Sequence, residues 1–149
     1  MATAAEVLQG SDDRRVGPIE GRMSLTLKIR RYNPEVSPDP WWDEFQVQME
    51  PTDRLLDALH EVKWRQDGTL ALRRSCAHGV CGSDAMLING RNALACKVLV
   101  QDVATKVTVE PIRGLTVLKD LIVDMDPFFE GYKSVLPFLE ASLRRAGMA

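Results

Sequence analysis

No apolar run in this 149-residue chain approaches the ~18 residues that a membrane-crossing helix requires, so the chain cannot span a bilayer by itself. Charge of either sign is not in excess. Nineteen Lys and Arg stand against 21 Asp and Glu, a formal net charge of -2, which lacks the basic footprint of a nucleic-acid binder. Histidine is scarce, with only His60 and His78, and neither is linked to a nucleophile, so no Ser/His/Asp logic is visible. Internal repeats and low-complexity tracts are absent. Cysteine is scarce too. The three present, Cys76, Cys81 and Cys96, are odd in number and crowded into one stretch. That pattern argues against a secreted disulfide framework and for a metal or redox site. What the chain does have is 45% apolar residues, enough for a real core, so wholesale disorder is excluded. Its length fits one domain, or one domain plus tails.

Residues 1–22 contain no apolar h-region and so do not form a secretory signal. Glu6, Asp12, Asp13 and Glu20 also speak against a transit peptide, which is poor in acidic residues. Residues 1–23 are therefore read as a flexible tail, with Met23 a candidate native start. Leu25, Leu27 and Ile29 alternate with polar residues and predict a strand, as do Phe45, Val47 and Met49. The Pro- and Asp-rich stretch 33–40 between them predicts a hairpin with a wide loop. Leu55, Leu56, Leu59 and Val62 carry the period of an amphipathic helix. Thr52 or Asp53 is the expected N-cap, and Asp67-Gly68 the stop with a left-handed glycine. His60 is expected to be a partly exposed surface residue. Further on, Asn89-Gly90 between AMLI and RNALA is a strong hairpin signal. Lys106–Pro111 reads as a strand, while 115–123 reads as strand or buried helix. Asp126-Pro127 predicts an N-cap with Pro at the first helical position. Phe128, Phe129, Tyr132 and Val135 would then form an apolar stripe that Pro137 ends or kinks. The expected organisation is an α+β domain over 24–124, short strands around one helix, followed by a helical extension over 125–149.

The chemistry lies between positions 75 and 96. The spacing Cys76-x4-Cys81-x2-Asp84-x11-Cys96 follows the plant-type 2Fe-2S pattern C-x4-C-x2-C plus a distant cysteine, with Asp84 in the third place. Each iron of such a cluster needs two terminal ligands besides the bridging sulfides, so three cysteines leave one place open. Gly79 and Gly82 allow the chain to curl closely around an anionic group, and successive backbone N–H groups in such a curl make an anion-binding concavity. Arg73 and Arg74 either screen the cluster's charge or are ordinary surface residues. A zinc site of Cys76, Cys81, Cys96 and either His78 or Asp84 is the alternative. Asp84 is the hardest donor of the set; the plain alternative is that it hydrogen-bonds nearby backbone.

The segment RRSCAHGVCGSDAMLINGRNALACK resembles the cluster-binding segment of the iron–sulfur subunit of succinate dehydrogenase and its relative fumarate reductase. SLTLKIRRYNPE, PTDRLLDALHEVKWRQDGTLALRRSC and VEPIRGLTVLKDLIVDMDPFF extend the resemblance over roughly residues 23–138. The resemblance implies a β-grasp, ferredoxin-like fold with a C-terminal helical extension. It also implies a 2Fe-2S cluster on Cys76, Cys81, Asp84 and Cys96, since the third ligand is Cys in some members and Asp in others, notably bacterial ones. The implied function is one-electron transfer from the FAD-containing flavoprotein subunit, which oxidises succinate to fumarate, toward quinone. That makes the chain an electron-transfer subunit of an oxidoreductase with no catalytic acid or base of its own. Its implied place is the cytoplasmic face of a bacterial inner membrane, as a peripheral subunit beside membrane anchor subunits. Family members continue into a helical domain with two further clusters, whereas this sequence has no cysteine after Cys96. The expectation is a truncated subunit, or a second cluster domain on a separate polypeptide. A free-standing ferredoxin-like carrier and a zinc-binding β-grasp module are the alternative functions.

Overall fold

A computed structural model describes residues 21–136; the expected tail up to residue 20, Pro137 and the remainder of the extension lie outside the described residues. Strand β1 (Met23–Arg31) and strand β2 (Trp41–Met49) form the expected wide hairpin, antiparallel with Leu25 opposite Val47 and Leu27 opposite Phe45. Helix α1 (Leu55–Arg65) follows. Strands β3 (Ala85–Ile88) and β4 (Arg91–Leu94) form the second hairpin, and β5 is Lys106–Pro111. The sheet order is β2-β1-β5-β3-β4, with β1 and β5 parallel at its centre. This is a mixed α+β sheet gripping one helix, the β-grasp arrangement.

The grip is made by matching periods. Every second residue of β1 turns inward, so Leu25, Leu27 and Ile29 are buried, together with Val47 and Met49 of β2 and Val107 and Val109 of β5. The inner stripe of α1 supplies Leu55, Leu56, Leu59 and Val62 to the same cluster. Each such side chain contributes about 1.5–3 kcal/mol of transfer free energy. The next inward position of β1 is Arg31, a charge in a core position, which the sheet can hold only with partners around it.

Four local expectations need correction. The helix N-cap is Arg54, not Thr52 or Asp53. Asp53 turns back to accept the Glu50 N–H at 2.9 Å, and Asp57 accepts the Arg54 N–H at 3.0 Å. Gly68 is not left-handed; the turn is closed instead by Lys63 Nζ, which donates to the Gly68 and Leu70 carbonyls at 3.0 and 2.7 Å. Asp126 lies inside helix α2 (Asp126–Ser134) rather than capping it, and Met125 is the N-cap. His60 is buried, with both ring nitrogens unpartnered among the described residues and its ring 5.0 Å from that of Trp64. The ambiguous segment 115–123 is a strand pair, β6 (Val117–Lys119) and β7 (Ile122–Val123).

Candidate metal centre

Between α1 and β3 the chain leaves regular structure and coils from Ser75 to Asp84. Gly79 and Gly82 both take positive φ, at +84° and +70°, and Ala77 joins them at +58°. A left-handed non-glycine residue costs about 1–2 kcal/mol, so the curl is held against its local preference. The result is a ring of N–H groups around sulfur. Cys81 N–H donates to Cys76 Sγ at 3.3 Å and His78 N–H at 3.5 Å. These two and the Val80 N–H favour the thiolate and bring the Cys76 pKa down to about 6. Cys81 Sγ receives the Ser83 N–H at 3.4 Å and lies 3.1 Å from the Ser83 hydroxyl.

The second pair of donors comes from the hairpin. Asn89 and Gly90 have φ of +48° and +79°, the primed turn that matches strand twist. The Asn89 side chain accepts the Thr108 N–H at 2.9 Å, which ties the turn to β5. The ladder runs back to Ala95 N–H, which donates to the Asp84 carbonyl, so Cys96 returns abreast of Asp84. Cys96 N–H then donates to Asp84 Oδ2 at 2.5 Å. The start of α1 locks this segment from the other side, since Leu56 N–H bonds the Ala95 carbonyl and Leu55 N–H the Val98 carbonyl. Burial, and then the adjacent Asp84 carboxylate, push the Cys96 thiol up from its ordinary value.

Asp84 is 2% exposed, and its Oδ1 has no partner among the described residues. A buried carboxylate oxygen left unbonded costs about 1–3 kcal/mol or more. The sequence alternative of a backbone-bonding Asp84 thus accounts for one oxygen and leaves the other free for a metal. Among the described residues no three His, Cys, Asp or Glu side chains converge on one ion position. A single zinc with three or four protein donors requires such convergence. A binuclear cluster does not, because its protein ligands divide into two pairs; here the Cys81 N–H bonds Cys76 and the Cys96 N–H bonds Asp84. His78 is exposed on the loop.

Of the upstream arginines, Arg73 lines a cleft of about 790 Å³ together with Cys81, while Arg74 is exposed. The far side of that cleft is Leu121, Val123, Phe128 and Phe129. Phe128, Phe129 and Tyr132 of α2, and Val135 and Leu136 just after it, are all exposed. Two features of the site have no signal in the sequence. One is the Asp120 carboxylate, whose Oδ2 accepts the Ala71 N–H at 2.8 Å and so anchors the approach to the cysteine loop. The other is Lys97, whose side chain lies against Gly79.

Comparison with known proteins gives a consistent picture. The family model described as "2Fe-2S iron-sulfur cluster binding domain" matches residues 26–130. The succinate dehydrogenase iron-sulfur subunit of Coxiella burnetii is 43% identical over 117 residues, covering 77% of this chain and 49% of that protein. The mitochondrial succinate dehydrogenase (ubiquinone) iron-sulfur subunit of Candida glabrata is 41% identical over 118 residues, 77% of this chain and 47% of that one. The fumarate reductase iron-sulfur subunit of Haemophilus influenzae is 32% identical over 115 residues, with 77% and 45% covered. The chain spans about half the length of the curated relatives it matches. Among solved structures, a chain of the Mycobacterium smegmatis Sdh1 complex in the apo form matches with TM-score 0.68 and 26% identity, over 80% of this chain and 48% of that one.

Proposed function

The chain belongs to the 2Fe-2S iron-sulfur cluster binding domain family, and on that premise we propose that it is the one-electron carrier that receives electrons from a succinate-oxidising flavoprotein. Cys76 and Cys81 would hold one iron, Asp84 and Cys96 the other. The cluster, when bound, supplies a one-electron couple, so a two-electron flavin donor is emptied in single steps. The chain's own residues hold and tune that couple. N–H groups of His78, Val80 and Cys81 offset the negative charge on Cys76. The glycine curl lets the backbone approach closely, and burial of Cys96 keeps water from one side. The single observation that carries this reading is the thiolate cradle at Cys76, built from backbone N–H groups whatever the side chains around it.

The relatives' names support the rest. We assign residues 24–124 to the cluster domain and 125–149 to an extension leading toward the next acceptor. The cleft beside Cys81 and the exposed apolar face of α2 are the surface that acceptor would cover. With Cys76, Cys81 and Cys96 holding this cluster, the 149 residues would leave no further cysteine for a second one. The proposed setting is a succinate:quinone oxidoreductase with an FAD subunit, a second cluster domain and membrane anchors, bound peripherally on the cytoplasmic face of a bacterial inner membrane. Among the described residues no helix is long and apolar enough to cross a membrane.

The test is a reconstitution. Mixed anaerobically with a succinate dehydrogenase flavoprotein and succinate, the loaded chain should bleach in the visible, with one electron taken per cluster. A loaded chain that stays oxidised under the flavoprotein, yet is reduced by dithionite, would contradict the assigned donor. Asp84→Cys should keep the cluster, since it restores four thiolates. Asp84→Ala should lower iron content or make the cluster labile; an unchanged content and spectrum would mean that another group holds the fourth place.

A further inference from the structure

Gly79 stands in the middle of the turn between Cys76 and Cys81, and Lys97 directly follows Cys96. A Cβ built on Gly79 would lie 2.1 Å from Lys97 Cε and 3.1 Å from its Cδ and Cγ. The lysine stem therefore runs flat against the Gly79 backbone. The contact joins the two halves of the ligand set, because the loop carries Cys76 and Cys81 while the lysine is carried by the residue after Cys96. The backbone of Lys97 is tied to the end of the hairpin, since its N–H donates to the Leu94 carbonyl at 2.9 Å. Among the described residues Lys97 forms no ion pair, in contrast to Lys106 with Glu44 and Lys133 with Glu130. Its charge is thus not neutralised by a neighbouring carboxylate of the described fold.

We propose that Lys97 is a positioning residue that sets the potential of the cluster: its stem, laid over Gly79, holds an ammonium charge beside the ligand loop and favours the reduced state. This rests on the cluster reading above. Reduction adds one negative charge to a group that already carries anionic ligands, and a cation nearby stabilises the product more than the reactant. Lys97 is an exposed residue, so salt should weaken the effect. A side chain at Gly79 would have to displace the lysine stem, besides the cost of its positive φ.

The experiment is a redox titration of the loaded full chain, followed by electron paramagnetic resonance. Lys97→Met keeps the stem and removes the charge; Lys97→Arg keeps the charge. Lys97→Met should lower the reduced-to-oxidised ratio at the wild-type midpoint about three- to tenfold, tenfold being ~59 mV for one electron. Lys97→Arg should stay near wild type, and the gap between wild type and Lys97→Met should narrow at high salt. Lys97→Gln serves as a second neutral variant should Lys97→Met load poorly. A loaded neutral variant with the wild-type potential overturns the proposal, and so does a Lys97→Arg shift as large as that of Lys97→Met. Wild-type protein carrying no iron or sulfide would overturn the cluster reading instead, so the two failures are distinguishable.

Discussion

Two polar clusters sit within this small fold, and they are built on opposite principles. Around Arg31, which is 3% exposed, each of the three guanidinium nitrogens has a partner within the chain. Its Nε donates to Asp120 at 3.0 Å, Nη1 to Asp67 at 2.7 Å and Asp43 at 3.1 Å, and Nη2 to Thr69 at 3.0 Å. Asp120 is equally spent, accepting from Arg31, from Tyr32 N–H and from Ala71 N–H. Around Cys76 the sulfurs are met mainly by backbone N–H groups, with the Ser83 hydroxyl 3.1 Å from Cys81, and Asp84 keeps a buried oxygen without a partner among the described residues. A polar network that closes on itself fixes geometry. One that stays open, in a curl that strains Ala77 into the left-handed region, has its free energy completed by something the chain does not supply. The closed cluster also serves the open one, because Asp120 holds Ala71 in the strand-like approach to Cys76.

The comparison breaks most sharply at Asp120. Removing one partner from a buried pair costs about 3–5 kcal/mol, so Asp120→Ala should destabilise the cluster-free and the cluster-loaded chain alike, as read by urea unfolding. Asp84→Ala should differ: a modest cost without the cluster, and a large loss of thermal stability and iron retention with it. Equal costs for Asp84→Ala in both states would erase the distinction between the two regions.

Acid sharpens the same contrast at smaller scale. The Asp67 carboxylate, bonded by Thr69 and by Arg31, has its pKa lowered from 3.8 to about 2. A depressed folded value means that the stabilisation is present above pH ~4 and is lost as the pH falls toward 2. With the carboxylate about a quarter exposed, roughly 1–2 kcal/mol is expected after solvent screening. Unfolding free energies between pH 5 and 2 should fall by that amount, and Asp67→Asn should flatten the slope. A smaller effect belongs to His60. Burial lowers its pKa, with the Arg74 charge acting the same way. The unfolded chain then takes up a proton that the folded chain resists, so stability should decline as pH falls below ~6.5. His60→Phe should remove that decline while filling the same space, checked by thermal unfolding at pH 7 and pH 5.5.

The contrast also marks what the sequence could reveal. The curl and the return at the open site are legible because Cys76, Cys81, Asp84 and Cys96 lie close in sequence; Gly79, Gly82 and the Asn89-Gly90 turn announce them. The strands and α1 were legible from apolar periods of two and 3.6. The closed cluster was not, since the Leu25, Leu27, Ile29 alternation simply runs on into Arg31, while Asp67 and Asp120 lie 36 and 89 residues away. His60 was misjudged for a related reason. Lys63 bonds the Gly68 and Leu70 carbonyls of the segment after α1, and the Arg74 charge acts on His60, contacts that helical periodicity does not show. Lys97 against Gly79 is a contact across the hairpin that neither residue type signals.

The most direct test of the central claim is elemental and magnetic analysis of the chain purified without oxygen. Two irons and two sulfides per chain, a visible absorption band, and a single unpaired spin on reduction are the expected results. Stoichiometric zinc with no visible absorbance would contradict the account.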